Sequence, residues 1–323
     1  LAYAQYGDPH GKPVFYFHGT PGSRLEHHPD DAIARERGAR IITADRPGFG
    51  HSDFQPHRTF LDWPDDVVQL ADALQIESFA VCGWSGGTPH AAACAYKIPE
   101  RLTNVCLFSG CPPFDLPGVL HGMETGERVE FALAKYLPWQ VVKEVWTPIA
   151  WSFRHRLDST YEEFLHVLDD AERAEFGQPE VRSMLSASMM EAYRQGGDGE
   201  AWDDRILASA WDFRLEDIEM EVHTWHGTAD TLAPPAMGRA LADALPHGHI
   251  SWCEGEGHGL WYQALAGDAV HVATAARRIT GRGHPLRGAL MHRRVVPALL
   301  ADQPRQYERL GLLQDHIAHT AHG

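Results

Sequence analysis

Apolar residues along this chain come in short runs closed by clusters of glycine, proline and aspartate, with helically spaced stretches between them. Residues 1–6 alternate apolar with other side chains and end at Gly7-Asp8-Pro9, the pattern of an early strand. Residues 14–17 are wholly apolar, and the His18-Gly19-Thr20-Pro21-Gly22 that follows is too rich in glycine and proline to continue a strand. A helix is predicted over about 30–37, a strand over 40–44, and a helix over 65–74 with Pro64 near its first turn. A strand at 78–81 leads to a helix at 90–96, and another strand spans 105–108. Strands alternating with helices predict an α/β fold, a mostly parallel sheet covered on both faces.

After Ser109-Gly110 the rhythm breaks. Residues 112–210 carry helical patterns and no convincing strand, with large apolar groups at Trp139, Trp146, Trp151, Phe153, Met184, Met189 and Met190. So long a stretch is a helical insertion rather than a loop. Alternation resumes with a strand at 220–225, a helix at 235–245 and a strand at 249–252, and a closing helix is predicted over 262–278. The division predicted is a core of residues 1–111 and 212–280, a helical insertion of 112–211, and a helical extension of 281–323.

The stretch that organises the chain is Gly83-Trp84-Ser85-Gly86-Gly87, a G-x-S-x-G pattern between an apolar run and an alanine-rich helix. A serine nucleophile has to be held exposed beside a base, and a sharp strand-to-helix turn does this at the cost of local strain. The glycines supply room, and the helix start directs free N–H groups at the reaction site.

Composition narrows the functions. The formal net charge of −16 over 323 residues argues against a nucleic-acid binder, and no apolar run approaches a membrane span. The five cysteines are an odd set without metal spacing, most of them in apolar runs, and read as core fillers. With no leader pattern, this predicts a reduced, cytoplasmic protein, although the sequence starts at Leu1 and leaves open what precedes it. The 21 histidines are scattered and form no metal-binding motif.

A serine nucleophile needs a base, a group that orients the base, and donors for the oxyanion. His258, in a glycine-rich loop after the last strand, is the candidate base. Asp230, after the preceding strand, is the candidate orienter, and the order Ser85, Asp230, His258 is the one this motif expects. The backbone N–H groups of Thr20 and Gly86 are the candidate oxyanion donors. His18 is read as a brace for its loop, and Asp45 and Arg46 as structural ion-pairing or turn-capping residues.

At these residues the chain resembles the α/β-hydrolase superfamily, serine-triad type. The resemblance rests on His18-Gly19-Thr20-Pro21-Gly22, on Asp45-Arg46-Pro47-Gly48-Phe49-Gly50-His51-Ser52, on Gly83-Trp84-Ser85-Gly86-Gly87, on His226-Gly227-Thr228-Ala229-Asp230 and on His258. It implies a helical cap, inserted between the sixth and seventh core strands, and no cofactor. Epoxide hydrolases share the His-Gly-x-Pro loop but carry aspartate where Ser85 stands. Proline iminopeptidases typically read H-G-G-P-G and G-G-S-W-G, whereas here Thr20 replaces a glycine and Trp84 precedes the serine.

The resulting expectation is a serine hydrolase of small to medium apolar esters, lactones or thioesters. Amide or carbon–carbon bond hydrolysis by the same triad is the alternative, and a non-catalytic ligand-binding module is the third reading. Trp84, Trp139, Trp146, Trp151, Met184 and Met189 are the candidate pocket residues, predicting a preference for apolar over charged acyl groups. The 281–323 extension leaves homo-oligomerisation open.

Overall fold

A computed structural model describes residues 1–262; the predicted closing helix and the 281–323 extension lie outside the described residues. The apolar runs form β1 (Tyr3–Gly7), β2 (Lys12–Phe17), β3 (Ala39–Ala44), β4 (Phe79–Trp84), β5 (Leu102–Phe108), β6 (Val222–Gly227) and β7 (Gly248–Cys253). They make one sheet in the order β1-β3-β2-β4-β5-β6-β7. Every neighbouring pair is parallel except β1, which pairs antiparallel with β3 at the edge. β4, the strand that carries the serine motif, is the middle strand.

The inner strands are apolar on both faces because both faces are covered. Phe15, Phe17, Phe79, Val81, Val105 and Leu107 point to one side. There they meet α2 (Trp63–Ala73), α3 (Thr88–Lys97) and α10 (Pro235–Ala244), which contribute Val67, Ala91, Cys94 and Leu241. The alternate residues Val14, Tyr16, Ala80, Cys82, Cys106 and Phe108 point to the other side. Each such aromatic or branched side chain, fully buried, contributes about 1.5–3 kcal/mol of transfer free energy. α1 (Asp31–Glu36) is a short surface helix capped by the Asp30 carboxylate.

Between β5 and β6 the described elements are all helices: α4 (Thr125–Tyr136), α5 (Trp139–His155), α6 (Leu157–Val167), α7 (Asp170–Phe176), α8 (Pro179–Ala192) and α9 (Asp198–Ala208). In the described sheet five strands precede this stretch and two follow. It thus falls between the fifth and sixth strands, rather than the sixth and seventh. It does not stand apart from the sheet. Phe153, Tyr161, Leu165, Leu185 and Met189 share one core with Tyr16, Cys82 and Phe108.

Buried charge ties the same helices to the core. Arg46, just after β3, has no exposed surface and pairs with Asp203 of α9 at 2.7 Å. Arg58 pairs with the other oxygen of Asp203. Asp45 faces away from this pair: it accepts from the Arg24 guanidinium (2.7 Å) and the His51 amide (2.9 Å). Arg24 in turn reaches Glu191 of α8 at 2.8 Å. The structural roles read for Asp45 and Arg46 are thus filled by partners in distant elements, not by each other. All five cysteines are free thiols, and burial pushes Cys111 and Cys253 up to about 12.

Burial pushes the Asp203 carboxyl up, but Arg46 and Arg58 together hold it well below the ordinary carboxylate range. Removing a carboxylate that leaves two guanidinium groups uncompensated costs about 3–5 kcal/mol. Asp203→Ala should lower the unfolding free energy by that order in urea titration. A depressed native value means the contribution is complete above the unfolded carboxyl range and lost only as pH falls through the native one. The deficit should therefore be as large at pH 5 as at pH 7.

Candidate active site

β4 ends in Trp84 with extended backbone, and the next residue, Ser85, turns to a φ of +52°. L-residues adopt that left-handed conformation at a cost, and it throws the serine side chain off the strand axis. A single 3-10 turn, Ser85–Gly87, then feeds α3. The flanking glycines are dictated by contact. A Cβ on Gly83 would stand 2.5 Å from the Gly87 carbonyl oxygen, and one on Gly87 would stand 2.1 Å from that of Phe17.

The loops after β6 and β7 bring Asp230 and His258 together. His258 Nδ1–H donates to both Asp230 oxygens, each at 3.0 Å, with both side chains almost fully buried. This leaves Nε2 as the acceptor nitrogen of the ring, and Ser85 and His258 line the same cavity. Burial favours the neutral imidazole, but the Asp230 charge and hydrogen bond outweigh it and raise the His258 pKa above its ordinary value. The His258 carbonyl accepts from Trp84 Nε1 (2.9 Å) and Ser109 Oγ (2.9 Å), fixing the loop over the ends of β4 and β5. Ser109 Oγ is thereby occupied, as is Ser52 Oγ, which donates to the Asp45 carbonyl at 2.7 Å. Ser85 is the serine that lines the cavity with His258.

Two carboxylates of α7, which the sequence reading missed, support these loops. Glu175 accepts from the Gly257 amide (2.8 Å) and the Gly259 amide (2.7 Å), on either side of His258. Glu172 accepts from the Thr231 amide (2.7 Å) and hydroxyl (2.7 Å), next to Asp230. A Cβ on Gly259 would lie 2.8 Å from Glu175 Oε2. The loop glycines therefore admit α7, and the flexibility expected of a glycine-rich loop is removed by it. Nothing local distinguishes these glutamates from a solvated acidic helix; the only sequence signal is the glycine on either side of His258.

Thr20 lies beside the elbow, its Oγ1 only 2.3 Å from where a Gly86 Cβ would be. The loop is held from behind. Arg46 donates to the Gly19 carbonyl (2.9 Å) and the Thr20 hydroxyl (2.7 Å), and also to the His18 carbonyl. His18 is fully buried: Nδ1–H donates to the Gly19 carbonyl at 2.8 Å, and Nε2 accepts from the Arg46 amide at 3.3 Å. Burial, reinforced by Arg46, keeps that ring neutral. His18 is thus a brace, and two candidate oxyanion donors, the Thr20 and Gly86 amides, belong to adjacent segments at the serine.

The cavity encloses about 310 Å³ and is lined by Thr20, Trp84, Ser85, Gly86 and His258 from the sheet edge, and by α4, α5, α8 and α9. Of the pocket residues predicted, Trp84, Trp146 and Met189 line it. Trp139 instead stacks on Phe54, with ring centroids 5.5 Å apart. Trp151 is 53% exposed, and Met184 is buried in the core beneath. The predicted apolar wall is present in Phe131, Ile149, Phe153, Phe176 and Leu185, but four carboxylates also line the cavity. Glu127 and Glu130 come from α4, Glu200 and Asp204 from α9. The sequence Asp198-Gly199-Glu200-Ala201-Trp202-Asp203-Asp204 looks like a solvated helix face. It is buried because α9 begins on glycines that admit close neighbours: a Gly199 Cβ would lie 2.7 Å from the Gly48 backbone.

A family profile described as alpha/beta hydrolase fold matches residues 12–254. A proline iminopeptidase of Xylella fastidiosa is 38% identical over 118 residues, 33% of this chain. The chain spans only about a third of that relative's length, 35%. A pimeloyl-[acyl-carrier protein] methyl ester esterase of Aromatoleum aromaticum is 28% identical over 229 residues, covering 68% of this chain and 81% of the relative. A thermophilic esterase of Thermogutta terrifontis superimposes with a TM-score of 0.58 at 23% identity, over 80% of this chain and 85% of that structure.

Two substitutions separate the parts of this geometry. In Asp230→Asn the raised His258 pKa should fall back, so the acid limb of kcat/KM should move to lower pH while the plateau drops by orders of magnitude. Glu175→Gln keeps one acceptor for two amides, and kcat should fall more than KM rises. Equal loss of both, in steady-state kinetics, would make Glu175 a fold residue only.

Proposed function

The chain belongs to the α/β-hydrolase fold family; on that footing we propose that it is a serine hydrolase of carboxylic esters, lactones or thioesters, acting through an acyl-enzyme on Ser85. The observation that carries this reading is the Asp230–His258 pair, bidentate at 3.0 Å, with His258 lining one cavity with a positive-φ serine. In this reading Ser85 Oγ attacks the substrate carbonyl carbon as His258 Nε2 takes its proton. Asp230 holds the imidazolium that forms. The Thr20 and Gly86 amides donate to the oxyanion, and His258 returns the proton to the leaving group. Water then repeats the sequence on the acyl-enzyme and frees the acid.

A second reading, amide hydrolysis by the same residues, is supported by the 38% identity shared with the proline iminopeptidase over 118 residues. The apolar wall supports a medium-sized acyl group. No described helix is long and apolar enough to cross a membrane. The five free thiols support a reducing compartment, hence the cytoplasm.

The test is a panel of esters, lactones, thioesters and amides run on the native protein and on Ser85→Ala. Turnover of at least one class should fall by several orders of magnitude in the folded variant, and a fluorophosphonate should label only the native protein. Ester turnover near the native rate in Ser85→Ala would move the nucleophile elsewhere. Within the ester series, Trp146→Ala and Met189→Ala should shift acyl-length preference, each buried methylene being worth up to about 0.8 kcal/mol. The exposed Trp151→Ala should not shift it, as specificity constants over the series would show.

A further inference from the structure

The four carboxylates in the cavity have no role in the triad chemistry. Glu127 and Glu130 lie one turn apart on α4, and Glu200 and Asp204 lie one turn apart on α9, which packs beside it. Glu200 and Asp204 are each 3% exposed. Glu127 Oε2, Glu200 Oε2 and Asp204 Oδ2 are buried with no hydrogen-bond partner. Among the described residues no lysine or arginine forms an ion pair with any of the four. Their neighbour Asp203 marks the contrast: on the same helix it is paired with two guanidinium groups.

A buried carboxylate oxygen with no donor is costly, and four carboxyl groups lining one cavity repel each other when ionised. Burial accordingly pushes Glu127 and Glu130 up to about 7, and raises Glu200 and Asp204 as well, with Glu130 adding to both. A cation among these side chains would offset both the burial cost and the mutual repulsion. No group of three or more of these side chains is arranged to hold a metal ion. A primary ammonium brings three N–H donors, as many as there are unpartnered oxygens. The formal net charge of −16 draws cations toward the protein from solution.

We propose that Glu127, Glu130, Glu200 and Asp204 form a subsite for a protonated amine on the substrate, so that the group cleaved at Ser85 belongs to an amine-bearing carboxylic ester or amide. This rests on the hydrolase reading and narrows its substrate class from apolar to cationic. The apolar wall receives the carbon skeleton, and α4 and α9 receive its charged end.

The test uses methyl esters of straight-chain amino acids with the amine at successive positions from the second carbon to the sixth. Each is matched to the ester with a methyl group in place of the ammonium. At one or more positions kcat/KM should favour the amine by about ten-fold or more, the worth of a charged hydrogen-bonded contact. Glu200→Gln should abolish most of that preference. Should that variant not fold, Glu127→Gln, on the more exposed helix, gives the same reading. In parallel, calorimetry on Ser85→Ala measures binding of the same pairs without turnover. Amine-selective binding that Glu200→Gln or Glu127→Gln weakens supports the subsite even if no ester is cleaved, in which case the hydrolase reading alone fails. Ester turnover with equal or poorer rates for every amine, and no selective binding to Ser85→Ala, overturns the subsite and leaves the hydrolase reading standing.

Discussion

A guanidinium with no exposed surface must have a carboxylate, and Arg46 finds one on a helix more than 150 residues away, at Asp203. That pair sets the position of much else. The remaining Arg46 donors hold the His18 and Gly19 carbonyls and the Thr20 hydroxyl, so the loop beside Ser85 takes its shape from a residue of α9. Arg58 takes the other oxygen of the same carboxylate. Stacking two cations and one anion out of water does little for net stability against an apolar replacement. It does fix which way each side chain points.

The same helix separates charge by function. Asp203 faces the arginines and is held ionised, while Glu200 and Asp204, one turn apart, face the cavity and are pushed toward the neutral form. Three carboxylates within five residues of one helix thus experience opposite fields, because Asp203 meets two guanidinium groups while the other two line the cavity. The local density of acid carries no information about this; the identity of the facing residue does.

What could be read from the sequence was whatever obeys local rules. The inner strands announce themselves as apolar runs, and Ser85 sits in a turn that only glycines at 83, 86 and 87 permit. The order of Ser85, Asp230 and His258 follows from strand ends meeting at one edge of a parallel sheet. Supporting groups were not legible, since Glu172, Glu175 and Asp203 act on loops 59 to 157 residues away. The tryptophans of α5 are an intermediate case. Trp146, Ile149 and Phe153 follow the i, i+3, i+7 spacing of one face and line the cavity, whereas Trp151 falls off that face; Trp139 shares the spacing but, at the first residue of α5, stacks on Phe54 instead. Periodicity within the helix separates Trp151 from the cavity residues; Trp139 is set apart by its stacking partner, which periodicity does not show.

The grip of α7 on the loops that carry Asp230 and His258 has a consequence for how such a protein diversifies. An inserted segment that only roofed a cavity would be interchangeable, and new substrate preferences could be grafted on by exchanging it whole. Here the loops bearing Asp230 and His258 donate hydrogen bonds to Glu172 and Glu175, so a foreign insertion would arrive without the groups that shape the loops beneath it. Change of preference is then confined to substitutions along α4, α5, α8 and α9, with α7 inherited together with the sheet.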